Sequence, residues 1–217
     1  MRDTARQWLQ RLEGWVFYRL RRRSKQRRLD LFFAVMQPVA GDRVLDVGAG
    51  GDSFWREFAA GHRAVVDSLQ FVALDIRPLG KLGHYRWQVV ADGRQLPFRD
   101  GAVAIVFSNS VIEHVGDHDQ QQRMAAEIRR VGRRYFVQVP ARCFPIEAHY
   151  FIPFLSYLPV RWQTKITRGL FGVADPIYLP TERQVRALFP GATVVRERLG
   201  GVTKSFLVYG GAAPCRK

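Results

Sequence analysis

Short unbroken runs of aliphatic residues alternate along the chain with stretches of helical period. RVLDV at 43–47, FVALDI at 71–76, AVAIVFSNS at 102–110 and YFVQVP at 135–140 read as strands, and VVADG at 89–93 ends another at Asp92 and Gly93. Several of these runs lack the polar alternation of a half-exposed sheet, the pattern of parallel strands covered on both faces. TVVRERL and VTKSFLVYG flank Gly200 and Gly201, the two-residue turn of a β-hairpin. Helices are expected at about 19–37, 53–60, 118–131 and 181–189, the last with Thr181 as N-cap. Strand, helix, three strands, helix and strand, followed by an irregular insertion over 141–180 and the terminal hairpin, describe a doubly wound α/β sheet.

The stretch RVLDVGAGGDSF, residues 43–54, carries the first chemical signal. An apolar strand ends there in an acid, Asp46, and a glycine-rich turn opens a helix. Gly48 and Gly50 admit positive φ and let the backbone of Gly48, Ala49 and Gly50 approach a ligand. Asp75 ends the next strand, 25 residues after Gly50, where a carboxylate can accept ribose hydroxyls. The spacer AGHRAVVDSLQ is longer than a dinucleotide fold needs, which predicts a short loop insertion. A dehydrogenase reading is weaker, because Ser53 stands where GxGxxG requires its last glycine.

With SNSVIEHV after the fourth strand, residues 40–140 resemble the class I S-adenosylmethionine-dependent methyltransferases, especially their bacterial small-molecule branch (methyltransferase type 11). The resemblance implies a Rossmann-like seven-stranded sheet whose hairpin supplies strands six and seven, the seventh antiparallel to the rest. It implies S-adenosylmethionine as cofactor. Asp46 and the Gly48–Ala49–Gly50 turn would cradle the methionine and ribose. Asp75 would hold the ribose hydroxyls, Ile76 would pack on the adenine, and Asp92 with Gly93 would meet its amino group. Asn109 would lie near the reacting methyl. Quinone-pathway O-methyltransferases carry a further glutamate three residues before a Glu–His pair, completing a metal site; Ser110 stands there, so no metal is expected.

Two pairs of residues compete for proton abstraction. Glu113 and His114 follow the fourth strand, where open α/β sheets bind ligands, and an imidazole titrates near neutrality. The alternative is that they start the next helix and hold loops by hydrogen bonds. Glu147 and His149 follow the fifth strand, within FPIEAHYFIPFLSYLP, which resembles a segment of bacterial methyltransferases of unassigned substrate. They either meet the acceptor or pin the insertion to the domain. Eight of the 40 residues from 141 to 180 are aromatic, a composition suited to an acceptor lid. Tyr150, Phe151, Phe154, Tyr157 and Trp162 would be its apolar walls, or a packed satellite core.

Composition adds little except through charge. With 47% hydrophobic and 24% charged residues, 217 residues suit one globular domain. No apolar run is long enough for a transmembrane helix, no signal peptide is visible, and two distant cysteines suit a reducing cytoplasm. The net charge is +15, and residues 1–30 hold ten bases against three acids. Residues 1–37 are therefore expected as a basic amphipathic helical segment ahead of a methyltransferase domain over 38–217. Trp8, Leu9, Leu12, Trp15, Val16 and Leu20 share one face, with Arg19 in the stripe. Such a helix could lie on an anionic membrane, placing the enzyme at the inner face, or it could cap the cofactor cleft or pack on the domain edge with a solvated basic face; nucleic acid is a weaker partner, since the apolar face needs an apolar neighbour. The acceptor is expected to be a small molecule or a lipid-linked one, methylated at oxygen. The rivals are an RNA methyltransferase, disfavoured because no NPPY-like or DPPY-like segment follows strand four, and an inactive cofactor-binding protein.

Overall fold

The computed structural model describes residues 19, 22–50, 53–80, 83–146, 152–172 and 176–212. A helix over 22–36 (α1) precedes β1 (Arg43–Val47), α2 (Ser53–Phe58), α3 (Arg63–Ser68), β2 (Gln70–Asp75), β3 (Trp87–Val90) and β4 (Val103–Asn109). α4 (His118–Val131), β5 (Gly132–Pro140), α5 (Val160–Phe171), α6 (Glu182–Leu188), β6 (Thr193–Leu199) and β7 (Val202–Gly211) complete it. The seven strands form one sheet in the order β3-β2-β1-β4-β5-β7-β6. β1 to β5 run parallel, and β7 lies antiparallel to both β5 and β6. This is the class I methyltransferase architecture, with the antiparallel seventh strand where it was expected.

The strands are apolar on both faces because both are covered. Leu45, Val47, Val72, Leu74 and Val106 face Met124, Ala125 and Ile128 of α4 and Val185 and Leu188 of α6. Val44, Phe71, Ala73, Ile105, Phe107 and Phe136 face Trp55 and Phe58 of α2 and the stripe Leu29, Phe32, Phe33, Met36 of α1. That stripe has the helical spacing i, i+3, i+4, i+7. Phe32 meets Trp55, Phe107 and Phe136 edge-on at centroid distances of 5.3, 5.6 and 5.6 Å, so α1 is part of the core. The Trp8 to Leu20 face lies outside the described residues.

Local signals explain the ends. The Asp117 carboxylate accepts the Gln120 N–H at the start of α4, and Thr181 with Gln184 forms a capping box on α6. Gly200 and Gly201 both adopt positive φ, +58° and +82°, as a tight hairpin turn demands. Three expectations are corrected. The spacer before β2 is a 3-10 turn (Ala60–His62) followed by α3, because Val66 and Leu69 find the core. The insertion contains a twelve-residue helix, α5. Glu113 and His114 sit in a 3-10 turn (Ile112–His114) ahead of α4.

Candidate active site

β3, β2, β1 and β4 end side by side, and the turns leaving them enclose a cleft of about 460 Å3. It is lined by Val47 and Gly48 after β1, Leu74, Asp75 and Ile76 after β2, Ala91 to Arg94 after β3, and Ser110, Val111, His114 and Val115 after β4. The cleft lies where the sheet order reverses between β1 and β4, the place where open α/β sheets bind ligands.

The glycine turn curls over the end of β2. Gly48 and Ala49 both donate to the Leu74 carbonyl, at 2.7 and 3.2 Å, and the Gly50 N–H donates to Asp75 Oδ2 at 3.1 Å. Gly48 has φ of +75°, and a Cβ there would stand 2.3 Å from Val111 Cγ2. Backbone conformation and the approach of the β4 turn both require glycine. The other Asp75 oxygen accepts the Arg77 N–H at 3.1 Å. Ile76 is 65% exposed, an apolar wall at the cleft.

On the β3 side, the Arg94 guanidinium grips both oxygens of Asp92 at 2.5 to 3.0 Å and also donates to Gln120. That contact holds the Asp92 carboxyl below the usual carboxylate range. Gly93 lies against Val47 at the base of the cleft. Ser110 carries a left-handed φ of +56°, and its hydroxyl donates to Gln138 at 2.6 Å. The backbone bend at Ser110 turns the chain from β4 across the cleft, where strained residues gather. Glu113 is completely buried, with Oε1 4.0 Å from His114 Nε2, while the His114 ring is 40% exposed and lines the cleft. The Glu113 carbonyl accepts the Tyr178 N–H at 2.9 Å, tying the cleft floor to the segment before α6.

Residues 45–135 match the family model of the methyltransferase domain. The chain carries an S-adenosylmethionine-dependent methyltransferase domain. No curated protein sequence matches the methyltransferase. Its fold matches solved structures of low identity: a Pyrococcus horikoshii protein at 17% identity and TM-score 0.59, covering 88% of this chain and 89% of the other. A Burkholderia thailandensis 1,6-didemethyltoxoflavin-N1-methyltransferase, solved with 1,6-didemethyltoxoflavin and S-adenosylhomocysteine, matches at 14% identity and TM-score 0.55, over 86% and 76% of the two chains. The Synechocystis magnesium protoporphyrin IX methyltransferase, solved with S-adenosylmethionine, matches at 14% identity and TM-score 0.51, over 86% and 78%. S-adenosylmethionine is the cofactor of the family.

Of the residues singled out from sequence, Gly48, Asp75, Ile76, Asp92, Gly93 and His114 line the cleft of the methyltransferase, with Ala49 and Gly50 completing its turn. Asp46 and Asn109 turn the other way. Asp46 points into the aromatic core beneath α2, where one oxygen accepts from both Trp55 Nε1 and Tyr85 Oη at 2.7 Å. Burial pushes its carboxyl up to about 6, against the two hydrogen bonds, with the charge of Asp75 adding a further rise. The Asn109 side-chain Oδ1 accepts from Arg28 of α1 at 2.9 Å. Glu147 and His149 lie outside the described residues. Phe154 and Tyr157 are exposed within the insertion and Trp162 is exposed on α5, so these three form no packed satellite core. Ser110, Arg94 and Tyr85 were not singled out for a role in the site. Arg94 is one of 34 basic residues, and no spacing marks it.

Proposed function

We propose that the methyltransferase methylates an oxygen of a small-molecule or lipid-linked acceptor, with His114 receiving the acceptor's proton. The observation that carries this reading is the exposed His114 ring at the cleft, backed by the buried Glu113 carboxylate. A carboxylate behind an imidazole favours the imidazolium that proton transfer creates. Two of the solved proteins named above are methyltransferases of 1,6-didemethyltoxoflavin and of magnesium protoporphyrin IX, which supports a small-molecule acceptor.

The residues present fit the cofactor. Asp75 spends one lone pair of each oxygen on Gly50 and Arg77, leaving the others for ribose hydroxyls. Ile76 offers its exposed face to the adenine, and Asp92, fixed by Arg94, lies at the edge where the amino group would come. The Gly48–Gly50 turn would hold the methionine end. Bound S-adenosylmethionine supplies a sulfonium methyl, which an acceptor atom must approach in line with the breaking carbon–sulfur bond. His114 holds the proton at Nε2 or Nδ1 as the carbon–oxygen bond forms, with the Glu113 carboxyl group 4.0 Å behind it. Glu147 and His149 remain a second candidate pair on the acceptor side, for they follow β5 directly.

Calorimetry and turnover on one set of variants test this reading. His114→Ala should lower turnover about 100-fold or more, the usual contribution of a general base, while S-adenosylhomocysteine affinity holds. Full activity in His114→Ala with loss in His149→Ala moves proton abstraction to the insertion. Equal loss of cofactor affinity and activity makes His114 a cofactor residue instead.

A further inference from the structure

α5 is built inside out. Its buried positions are polar: Gln163 and Thr167 are 8% and 2% exposed. Their groups are satisfied close by, Gln163 donating to the Leu158 carbonyl at 2.8 Å and Thr167 to the Thr164 carbonyl at 3.2 Å. This inner face borders a cavity of about 290 Å3 shared with His118, Gln121 and Tyr178. On the outside Trp162 and Leu170 are 49% and 66% exposed, with Ile166 half-buried between them. Spaced four apart, the three form one ridge of the helix. Arg161, Lys165 and Arg168 run along its flank, all exposed, and no acid occurs between Glu147 and Asp175. The turn before the helix exposes Phe154, Tyr157 and Leu158 as well.

A helix facing water carries its polar residues outward, so this ridge calls for a partner that is apolar at its surface and negative around it. We propose that α5 docks the enzyme on an anionic lipid bilayer, with Trp162, Ile166 and Leu170 at the acyl boundary and Arg161, Lys165 and Arg168 among the headgroups. Lys165 Nζ lies 5.5 Å over the Trp162 ring, the arrangement of a cation held at the level where an indole enters an interface. Twelve residues cannot cross a bilayer, and among the described residues no helix is long and apolar enough to do so. The helix therefore lies in the plane of the interface. A second copy of the chain is a poorer occupant, because pairing the two ridges would bring one row of three cations toward another. The proposal stands apart from the acceptor's chemistry and from residues 1–18.

Cosedimentation of the full chain with phosphatidylcholine vesicles, with and without phosphatidylglycerol, tests it. Wild type should bind the anionic vesicles, and Trp162→Gln with Leu170→Gln should weaken that binding by about tenfold or more. Arg161→Gln, Lys165→Gln and Arg168→Gln together should weaken it about 100-fold and remove the preference for phosphatidylglycerol. Unchanged S-adenosylhomocysteine affinity shows that the variants fold. Brominated lipid should quench wild-type tryptophan fluorescence, and Trp162→Phe should lose most of that quenching. No vesicle binding by wild type, binding unaltered by both sets of substitutions, or a wild-type dimer that the substitutions dissociate would each overturn the proposal.

Discussion

Asp75 stands at the meeting point of two loops, one oxygen holding Gly50 and the other Arg77. Its removal frees both N–H groups and takes away the acceptors for ribose hydroxyls. Asp75→Ala should therefore weaken S-adenosylhomocysteine binding by about 1–3 kcal/mol in calorimetry, with Asp75→Asn recovering part of it. Gly48→Ala acts through shape rather than charge. A methyl there collides with Val111 and forces an unfavourable φ, so the β4 turn has to retreat from the cleft. The glycines and Asp75 were legible in sequence because a strand followed by a tight turn is a local pattern. Asp46 shows the limit of that legibility. Its neighbours Leu45 and Val47 face α4, so the pleat sends Asp46 to the opposite face, where Trp55 and Tyr85 receive it.

At the scale of elements, α1 is fastened by a buried polar cluster as well as by its aromatic stripe. Arg28, 7% exposed, reaches Glu197 of β6 at 2.9 Å and Asn109 at the end of β4 at 2.9 Å. Ser24 and Ser205 also donate to Glu197. Burial opposes ionisation of Glu197, but Arg28 and the two serines outweigh it and hold the carboxyl below its usual range. Arg28→Met should strand that carboxylate and lower unfolding stability by about 3–5 kcal/mol in urea titration. The double change Arg28→Met with Glu197→Leu should recover a large part of the loss, since no charge is then left buried alone. The basic run around Arg28 reads as a solvated face in sequence. Its partner lies 169 residues away, a pairing that no local period encodes.

Across the whole molecule, pH should reveal the carboxyl that the core has taken in. Asp46 titrates at about 6 when folded against an ordinary value of 3.8, so between these pH values the folded chain binds more of its proton than the unfolded chain does. Its contribution to stability is therefore largest in acid and falls as pH rises through about 6. Melting wild type beside Asp46→Asn should show wild type gaining on the variant from pH 7 toward pH 4, on the order of 1–3 kcal/mol. The comparison removes the opposite trend of Asp92, Glu127, Glu182 and Glu197, whose depressed values make acid destabilising. The succession of strands along the chain, the hairpin turn, the glycine loop and the acids at the strand ends were all determined by the sequence alone. Each depends on residues within one element or its adjoining turn, where backbone preference and burial act at short range. Only the tertiary structure decided that Asp46 and Asn109 turn from the cleft, that Arg94 locks Asp92, and that α5 buries glutamine and threonine while showing tryptophan and leucine. Those choices depend on which distant surface each side chain meets, and that surface exists only once the sheet has brought the elements together.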